Sequence, residues 1–221
     1  MLQIHDDTVW LFDYDLTLYT YKERFVLDSL DKRISLFVQK EFHCSLEEAS
    51  EIRKDYLMEF GTTLAGLQKK IGTKPDDYFD FIHTEDGLLF PEYATEKIQL
   101  LKKLPGKKFI FTNGRADWAC KGISKMGLKP FFEDIFDLKK LNWIGKPHIS
   151  AYQKVAQFLK EKGLQKNQII LLDDAYKNLI PAKEFSWESV LINPIDTEEF
   201  PNQVPTILEL PQILSFPEKE F

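Results

Sequence analysis

Cysteine and histidine are scarce in this sequence, and neither occurs at a spacing that suits a metal. The two cysteines, Cys44 and Cys120, form no C-x-x-C pair and are too few for a disulfide framework. We therefore expect both to be small buried residues. The four histidines are scattered, with no H-E-x-x-H pattern, at positions 5, 43, 83 and 148. A zinc site is not expected.

Net positive charge and long apolar runs are also missing. The formal charge is −6, so there is no overall basic field to attract a nucleic-acid polymer. No apolar run approaches the roughly 20 residues of a membrane-spanning helix. The N-terminus lacks the basic start and apolar stretch of a signal peptide. These absences predict a cytoplasmic protein that acts on neither nucleic-acid polymers nor membranes, and we expect a monomer or a homodimer.

What remains is an ordinary globular composition. Of the 221 residues, 43% are hydrophobic and 29% are charged, which argues against both a disordered chain and a membrane protein. The sequence contains no internal repeat and no low-complexity segment. Its length suffices for one large domain, or for a domain that carries a substantial insertion.

The stretch from Val9 to Phe12 is the most informative part of the chain. It is short, β-branched and aromatic, as expected for a strand buried on both faces of a parallel sheet. Asp13 and Asp15 follow it directly. Residues two apart on an extended chain point the same way, so both carboxylates can address one small volume. Open α/β sheets bind ligands at this carboxyl edge, although Asp and Thr are also common in turns.

Residues 20–91 follow a helical pattern. Apolar residues recur at intervals of three and four, and a capping box at Ser45 and Glu48 marks the start of the second of four predicted helices. Thr62 or Thr63 can cap the third helix, and Pro75 begins the fourth. Four helices without a strand suggest a small helical bundle.

From about residue 92, strands and helices alternate, which predicts a parallel sheet with crossover helices. The predicted strands span residues 108–111, 168–172, 190–192 and 207–208, and a closing helical turn spans 211–216. The predicted fold class is therefore α/β, a three-layer Rossmann-like parallel sheet built from residues 1–19 and 92–221. The four-helix segment at residues 20–91 would be an insertion after the first strand, and we interpret it as a lid.

Polar residues follow three of the predicted strands, and a lysine lies in a loop between the second and third. Because these strand ends meet at one edge of the sheet, the side chains should converge. Three carboxylates suit Mg²⁺, which takes oxygen ligands and keeps waters that a phosphate can replace. A hydroxyl, turn amides and an ammonium can donate to an anion. We therefore predict a phosphate site formed by Asp13, Asp15, Thr112, Asn113, Lys146, Asp173 and Asp174.

The order of these clusters resembles the four motifs of the haloacid dehalogenase superfamily of phosphohydrolases, over the whole chain. One such motif is weak evidence, but four in order at strand ends are specific. The matching segments are Phe12-Asp13-Tyr14-Asp15-Leu16-Thr17, Phe111-Thr112-Asn113, Lys146-Pro147, and Leu172-Asp173-Asp174 with Asn178.

The resemblance implies a role for each of these residues. Asp13 would be the nucleophile that forms an aspartyl-phosphate. Asp15 would protonate the leaving oxygen and then, as a base, activate water. Lys146 would hold the phosphoryl oxygens together with Thr112 and the Asn113 amide. The implied Mg²⁺ ligands are the Asp13 carboxylate, the Asp15 carbonyl and Asp174, with Asp173 in the outer shell or sharing the role.

Two local features modify this resemblance. Ala175 stands where many relatives have Ser, so one hydroxyl is missing while the metal ligands are unchanged. The block from Phe60 to Leu67, with its glycine-threonine segment, resembles the cap of the pyrimidine 5′-nucleotidase branch. That resemblance implies a nucleoside 5′-monophosphate substrate, with Thr62 and Thr63 among the substrate-binding residues. Both threonines could equally be helix caps alone.

Other functions remain open at this point. The chain could be a phosphatase for a sugar phosphate or phosphoglycolate, as other capped members of the superfamily are. A dehalogenase fits less well, because Asp15 would have no leaving alkoxide to protonate. A non-catalytic phosphate-binding module is the remaining alternative, although such a protein has no chemical need for both Asp13 and Asp15.

Overall fold

The computed structural model describes residues 1–84, 87–192 and 200–216. Within these ranges the chain forms two compact units: residues 1–23 with 91–221, and residues 24–90. The limits predicted from the sequence lie after residues 19 and 91. No helix of the described ranges is both long and apolar enough to cross a bilayer.

The regular elements alternate in the first unit and are helical in the second. The strands are β1 (Leu2–Gln3), β2 (Val9–Phe12), β3 (Lys107–Phe111), β4 (Asp134–Phe136), β5 (Ile169–Asp173), β6 (Glu188–Ile192), β7 (Gln203–Val204) and β8 (Leu214–Ser215). The α-helices are α1 (Phe25–Phe42), α2 (Leu46–Phe60), α3 (Thr63–Ile71), α4 (Pro75–Ile82), α5 (Thr95–Lys103), α6 (Ala116–Lys125), α7 (Ile149–Glu161) and α8 (Tyr176–Leu179). Short 3₁₀ helices span Tyr21–Glu23, Lys129–Phe131, Ile180–Phe185 and Ile207–Gln212.

The first unit is built on a parallel sheet with the strand order β4-β3-β2-β5-β6-β7. Strand β2 lies inside the sheet, where Phe12 pairs with Ile110 of β3 and with Leu172 of β5. The predicted α/β fold with a parallel sheet is thus confirmed. All six strands run the same way, so the residues that follow β2, β3 and β5 lie at one edge.

Both faces of β2 are covered, which explains its uninterrupted apolar sequence. Val9 and Leu11 belong to a buried cluster that includes Tyr152, Val155 and Leu159 of α7. On the other face, the Trp10 indole donates to the Pro105 carbonyl at 2.7 Å. Asp13 therefore follows a strand that is buried on both sides, and its backbone position is fixed by the core.

The second unit contains α1 to α4, and their ends follow the sequence. The predicted capping box is present, since Ser45 and Glu48 each accept a hydrogen bond from the other's backbone amide. Gly61 ends α2 with a φ of 79°, in the left-handed region that favours glycine. Gly66 lies so close to α2 that a Cβ there would be 2.4 Å from the Tyr56 ring.

The chain after residue 200 differs from the sequence-based expectation. Residues 207–208 are not a strand: they begin the 3₁₀ helix Ile207–Gln212, capped by Thr206, whose hydroxyl accepts from the Leu208 amide at 3.1 Å. The predicted closing helical turn at 211–216 is wrong as well. It contains only the end of that 3₁₀ helix, and β8 follows and pairs with β1.

Short strands and both cysteines were also misjudged from the sequence. Strands β1, β4 and β7 have only two or three residues each, too few to show a period of two. Neither cysteine is fully buried. Cys44 lies in the connection between α1 and α2, and Cys120 lies off the buried face of α6, which is formed by Trp118, Ala119, Gly122 and Ile123.

Candidate active site

Asp13 is the first residue after β2, and both its backbone amide and its carboxylate have hydrogen-bond partners. Its amide donates to the Leu172 carbonyl of β5 at 2.8 Å. Its carboxylate accepts from the Lys146 ammonium at 2.8 Å and from the Thr17 hydroxyl at 3.4 Å. The side chain is almost completely buried. The Asp13 carboxylate is therefore oriented by Lys146 and Thr17 rather than by solvent.

Lys146 links two of the strand ends. Its ammonium donates to two carboxylates, those of Asp13 and Asp173. It also lies 5.0 Å from the centre of the Phe111 ring, a distance that suits a cation–π contact. Burial alone would lower the pKa of Lys146, but the two carboxylates and their hydrogen bonds raise it above its ordinary value. Lys146 is therefore a permanent buried cation.

Asp173 ends β5 and is oriented by three donors. One oxygen accepts from the Ala175 amide and from the Asn178 side chain, both at 2.9 Å. The other accepts from Lys146. The Asn178 carbonyl in turn accepts from the Tyr152 hydroxyl. These contacts explain why Asn178 follows the two acids at a short distance in the sequence.

Three carboxylates of this edge could hold a metal ion. One oxygen each from Asp13, Asp173 and Asp174 lies within 4.8 Å of the others. Burial, more than the repulsion from neighbouring carboxylates, raises the pKa of Asp13 well above its usual range. Burial and then Asp173 raise the pKa of Asp174 to about 7. A partly buried cluster of oxygen ligands whose negative charges repel one another fits a small, hard divalent cation.

Thr112 and Asn113 follow β3 and form a tight turn. The Thr112 hydroxyl is buried and accepts from the Gly114 amide at 3.0 Å. Asn113 exchanges two hydrogen bonds of 2.7 Å with the backbone of Lys146. Gly145 permits this approach, because a Cβ there would lie 2.2 Å from the Asn113 side-chain oxygen. Asn113 thus fixes the loop that presents Lys146 to the acids.

Asp15 lies two residues beyond Asp13, and its hydrogen-bond partners are not among the residues predicted from the sequence. One carboxylate oxygen, Oδ1, accepts from the Tyr19 hydroxyl at 2.7 Å and from the Trp118 indole at 3.0 Å. Asp15 also contributes to the raised pKa of Asp13, although less than burial does. The two carboxylates of the first motif are therefore close enough to repel each other.

The sequence carries a local signal for only one of these partners. Tyr19 lies four residues after Asp15, and the bond from the Leu18 amide to the Tyr14 carbonyl shows that the chain makes a helical turn there. In such a turn, residues four apart lie on one side. Trp118 is 103 positions from Asp15, so no local pattern could have identified it.

Thr62 and Thr63 lie in the second unit, apart in the sequence from every other predicted site residue. Thr62 is the N-cap of α3, and its hydroxyl oxygen accepts from the Ala65 amide at 3.0 Å. Thr63 is buried, and its hydroxyl donates to the Arg53 carbonyl at 3.4 Å. Both hydroxyls thus have structural partners within their own unit.

Solved structures with a similar fold include hydrolases with different descriptions. YfnB from Bacillus subtilis, assigned to the HAD hydrolases and bound to magnesium, aligns with a TM-score of 0.59 and 18% identity, over 94% of this chain and 98% of that one. L-2-haloacid dehalogenase from Xanthobacter autotrophicus aligns with a TM-score of 0.56 and 16% identity, over 96% and 98%. A Clostridium difficile protein assigned as a phosphatase gives 0.58 and 16%, over 95% and 99%.

At these low identities the similarity shows the fold alone, and family membership depends on the sequence. The family model of haloacid dehalogenase-like hydrolases matches residues 9–185. This range begins at β2 and contains Asp13, Asp15, Lys146 and the two acids at the end of β5, Asp173 and Asp174. The strand ends that converge in the structure are thus those inside the family match, and the chain belongs to the haloacid dehalogenase-like hydrolases.

Proposed function

We propose that this hydrolase is a Mg²⁺-dependent phosphatase that cleaves a phosphomonoester through an aspartyl-phosphate. The single observation that carries the proposal is the joint placement of Asp13 and Asp15 at one strand end, with Lys146 at 2.8 Å from Asp13. A nucleophile, a proton donor and a fixed cation are the groups that phosphoryl transfer needs.

In the proposed first step, an oxygen of Asp13 attacks phosphorus while the ester bond to the leaving oxygen breaks. The leaving oxygen takes its proton from Asp15. Lys146, with the turn at Thr112 and Asn113, would bind the phosphoryl oxygens and neutralise their charge. The burial of Lys146 supports this role, because a desolvated cation acts in a low dielectric.

In the second step, Asp15 is a carboxylate and takes a proton from water. The water oxygen attacks phosphorus, the bond from phosphorus to Asp13 breaks, and inorganic phosphate leaves. One residue thus gives a proton in the first step and receives one in the second, so both acids are used in each turnover. This is the reason to prefer phosphatase over dehalogenase, since a leaving halide needs no proton.

Mg²⁺ would be held by Asp13 and Asp174, with Asp173 shared or in the outer shell, and the Asp15 carbonyl as a further ligand. Bound there, it would supply positive charge against the phosphoryl group and reduce repulsion among the acids. The three carboxylate oxygens within 4.8 Å of one another support this assignment. Lys146 alone cannot balance three acids.

We propose a nucleoside 5′-monophosphate, of a pyrimidine in particular, as the substrate. The support is the segment from Phe60 to Leu67, which resembles the pyrimidine 5′-nucleotidase branch. In this proposal, residues 1–19 and 92–221 are the catalytic core and residues 20–91 are a cap that binds the nucleoside. Thr62 is the better candidate ligand, because Thr63 is buried and its hydroxyl donates to Arg53.

The test is a panel of phosphate-release assays with and without Mg²⁺. It compares pyrimidine and purine nucleoside monophosphates with sugar phosphates, phosphoglycolate and an aryl phosphate, and adds a 2-haloacid assayed for halide release. The proposal predicts the highest kcat/KM for pyrimidine nucleotides and none without metal. Preference for a sugar phosphate or phosphoglycolate would retain the chemistry and replace the substrate. Halide release without phosphate release would overturn the chemistry.

The role of the second unit is tested by Thr62→Val, with Thr63→Val as the matched comparison. If the Thr62 hydroxyl contacts the nucleoside, its loss should lower kcat/KM for nucleoside monophosphates by ~10-fold, about 1.4 kcal/mol, and leave a small aryl phosphate unaffected. Equal losses for both substrates would assign Thr62 to helix capping alone.

A further inference from the structure

Two aromatic side chains from distant parts of the first unit donate to the same oxygen of Asp15. The Tyr19 hydroxyl lies 2.7 Å and the Trp118 indole nitrogen 3.0 Å from Oδ1. The other oxygen, Oδ2, lies near the turn after β3, since a Cβ at Gly114 would be 3.9 Å from it. The two oxygens of Asp15 therefore have different surroundings.

Both aromatic donors are held in place by packing. Tyr19 and Trp118 are buried, and the Tyr14 ring packs edge-on against each, with ring centres 5.4 Å and 6.3 Å apart. Tyr14 in turn fits against Gly122 of α6, where a Cβ would lie 1.5 Å from the Tyr14 hydroxyl. A rigid aromatic group thus supports the carboxyl group of Asp15 from one side.

We propose that Tyr19 and Trp118 are positioning residues that orient Asp15 for proton exchange with the leaving group. This inference rests on the proposed phosphatase function. In this arrangement Oδ1 is the oxygen held by the two aromatic donors, and Oδ2, which lies near the turn after β3, is the oxygen that exchanges the proton with the leaving group. The aromatic pair thereby prevents rotation of the carboxyl group, which would turn its acidic oxygen away from the substrate.

The first experiment compares two leaving groups in Tyr19→Phe, a nearly isosteric change that removes one donor. For an alkyl phosphate such as a nucleoside monophosphate, protonation of the leaving oxygen matters, and kcat should fall ~10-fold. For an aryl phosphate such as 4-nitrophenyl phosphate, whose leaving group needs little protonation, kcat should change less than about twofold. KM should change little for either substrate, because no contact with bound substrate is removed.

Tyr14→Phe is the matched control. It removes a hydroxyl from the same aromatic group, but that hydroxyl is buried and has no hydrogen-bond partner among the residues that the structure describes. Both leaving groups should react at the wild-type rate. Trp118→Phe tests the second donor and should show the same selective loss for alkyl phosphates as Tyr19→Phe.

A double-mutant cycle separates positioning from a structural role. If Tyr19 acts only through Asp15, then Tyr19→Phe on an Asp15→Asn background should cause no further loss of kcat. An added loss there, or equal losses for alkyl and aryl phosphates in the single variant, would assign Tyr19 to folding and overturn the inference. Wild-type rates for Tyr19→Phe and Trp118→Phe on alkyl phosphates would overturn it too.

The same assays distinguish this inference from the proposed function. Phosphate release by the wild-type protein with no leaving-group selectivity in the variants refutes the positioning role alone. Absence of phosphate release from both substrates by the wild-type protein refutes the phosphatase function, and the positioning role with it.

Discussion

An ion pair at the strand ends of the first unit and an ion pair in the second unit differ in how far they are removed from water. In the first unit, the Lys146 ammonium and the Asp173 carboxylate form an ion pair in which neither side chain has any exposed surface. In the second unit, the 2.8 Å pair of Arg53 and Asp31 leaves 14% and 31% of its side chains exposed. Removing two charges from water costs several kcal/mol per ion. The ion pair at the strand ends therefore carries the larger desolvation cost of the two.

The largest effect should come from Asp13→Asn. The amide is nearly isosteric but a poor nucleophile, so kcat should fall by at least ~10³-fold and covalent phosphate capture should disappear. The fold should persist, because the backbone bond from residue 13 to Leu172 is unchanged. Quenched-flow trapping of phosphoenzyme and circular dichroism measure the two effects. Turnover above about a tenth of wild type would show that the nucleophile is another group.

Lys146→Met tests whether buried charge serves both activity and folding. Removing one partner of a buried ion pair leaves an uncompensated charge, at a cost of about 3 kcal/mol in the free energy of unfolding. We also expect kcat/KM to fall ~100-fold, because the phosphoryl oxygens lose their cation. Urea denaturation in the presence of a chelator measures the first effect, and phosphate release the second.

Lys140→Met is the control for that variant. Lys140 pairs with Asp134 in the same unit, but the two side chains are 48% and 34% exposed. Exposed pairs contribute at most about 1 kcal/mol, and activity should be unchanged. If Lys140→Met and Lys146→Met lower the free energy of unfolding equally, burial does not determine how much an ion pair of this protein contributes to stability.

Metal affinity should depend on pH through Asp174. Its pKa of about 7 means that the carboxylate is mostly ionised at pH 8 and mostly protonated at pH 6. Mg²⁺ needs the ionised form, so it should bind ~10-fold more weakly at pH 6. Titration calorimetry at the two pH values measures the ratio, and equal affinities would remove Asp174 from the ligand set.

The metal-free protein should respond to pH in the opposite direction. A carboxyl group whose pKa is raised by folding binds its proton more tightly in the folded state. Its contribution to stability is therefore complete below the unfolded pKa and is lost as the pH rises through about 7. The increase in Tm on adding saturating Mg²⁺ should consequently be larger at pH 8 than at pH 6.

The smallest effect should come from Asp31→Asn in the second unit. Burial raises the pKa of Asp31, more than the Arg53 guanidinium lowers it, so this pair contributes little. We expect a loss of about 1 kcal/mol or less in unfolding free energy and no change in aryl phosphate hydrolysis. A loss of activity would show that charge in the helical unit also serves the chemistry.

The sequence predicted the α/β fold and its central strands because buried strands have a strong local pattern. Val9 to Phe12 is apolar on both faces, and the acids at its end could be placed at the sheet edge by topology alone. The short strands after residue 200 could not be predicted, since β7 and β8 are defined by pairing with distant residues. Residues 207–208 are apolar, as in a strand, but they begin a 3₁₀ helix that Thr206 caps through one side-chain hydrogen bond.

The candidate site shows the same division between local and distant information. The structure brings Asp13, Lys146, Asp173 and Asp174 together, as expected from strand ends at one edge. Asp15 was identified, but its contact with Trp118 depends on how α6 packs against the turn after β2. Tertiary packing of this kind leaves no periodic trace in the sequence.

The hydrogen-bond register of the central sheet sets the separation between two acids of the candidate site, Asp13 and Asp173. The Asp13 amide donates to the carbonyl of Leu172, directly before Asp173, so the backbones of Asp13 and Asp173 lie about one strand-to-strand distance apart, ~4.8 Å. The hydrogen-bonded backbone therefore sets this separation, and substitutions of neighbouring side chains do not change it. Ala175 contributes only its backbone amide to Asp173, so substitutions of its side chain can vary the loop after β5 while Asp13 and Asp173 stay at a constant backbone separation.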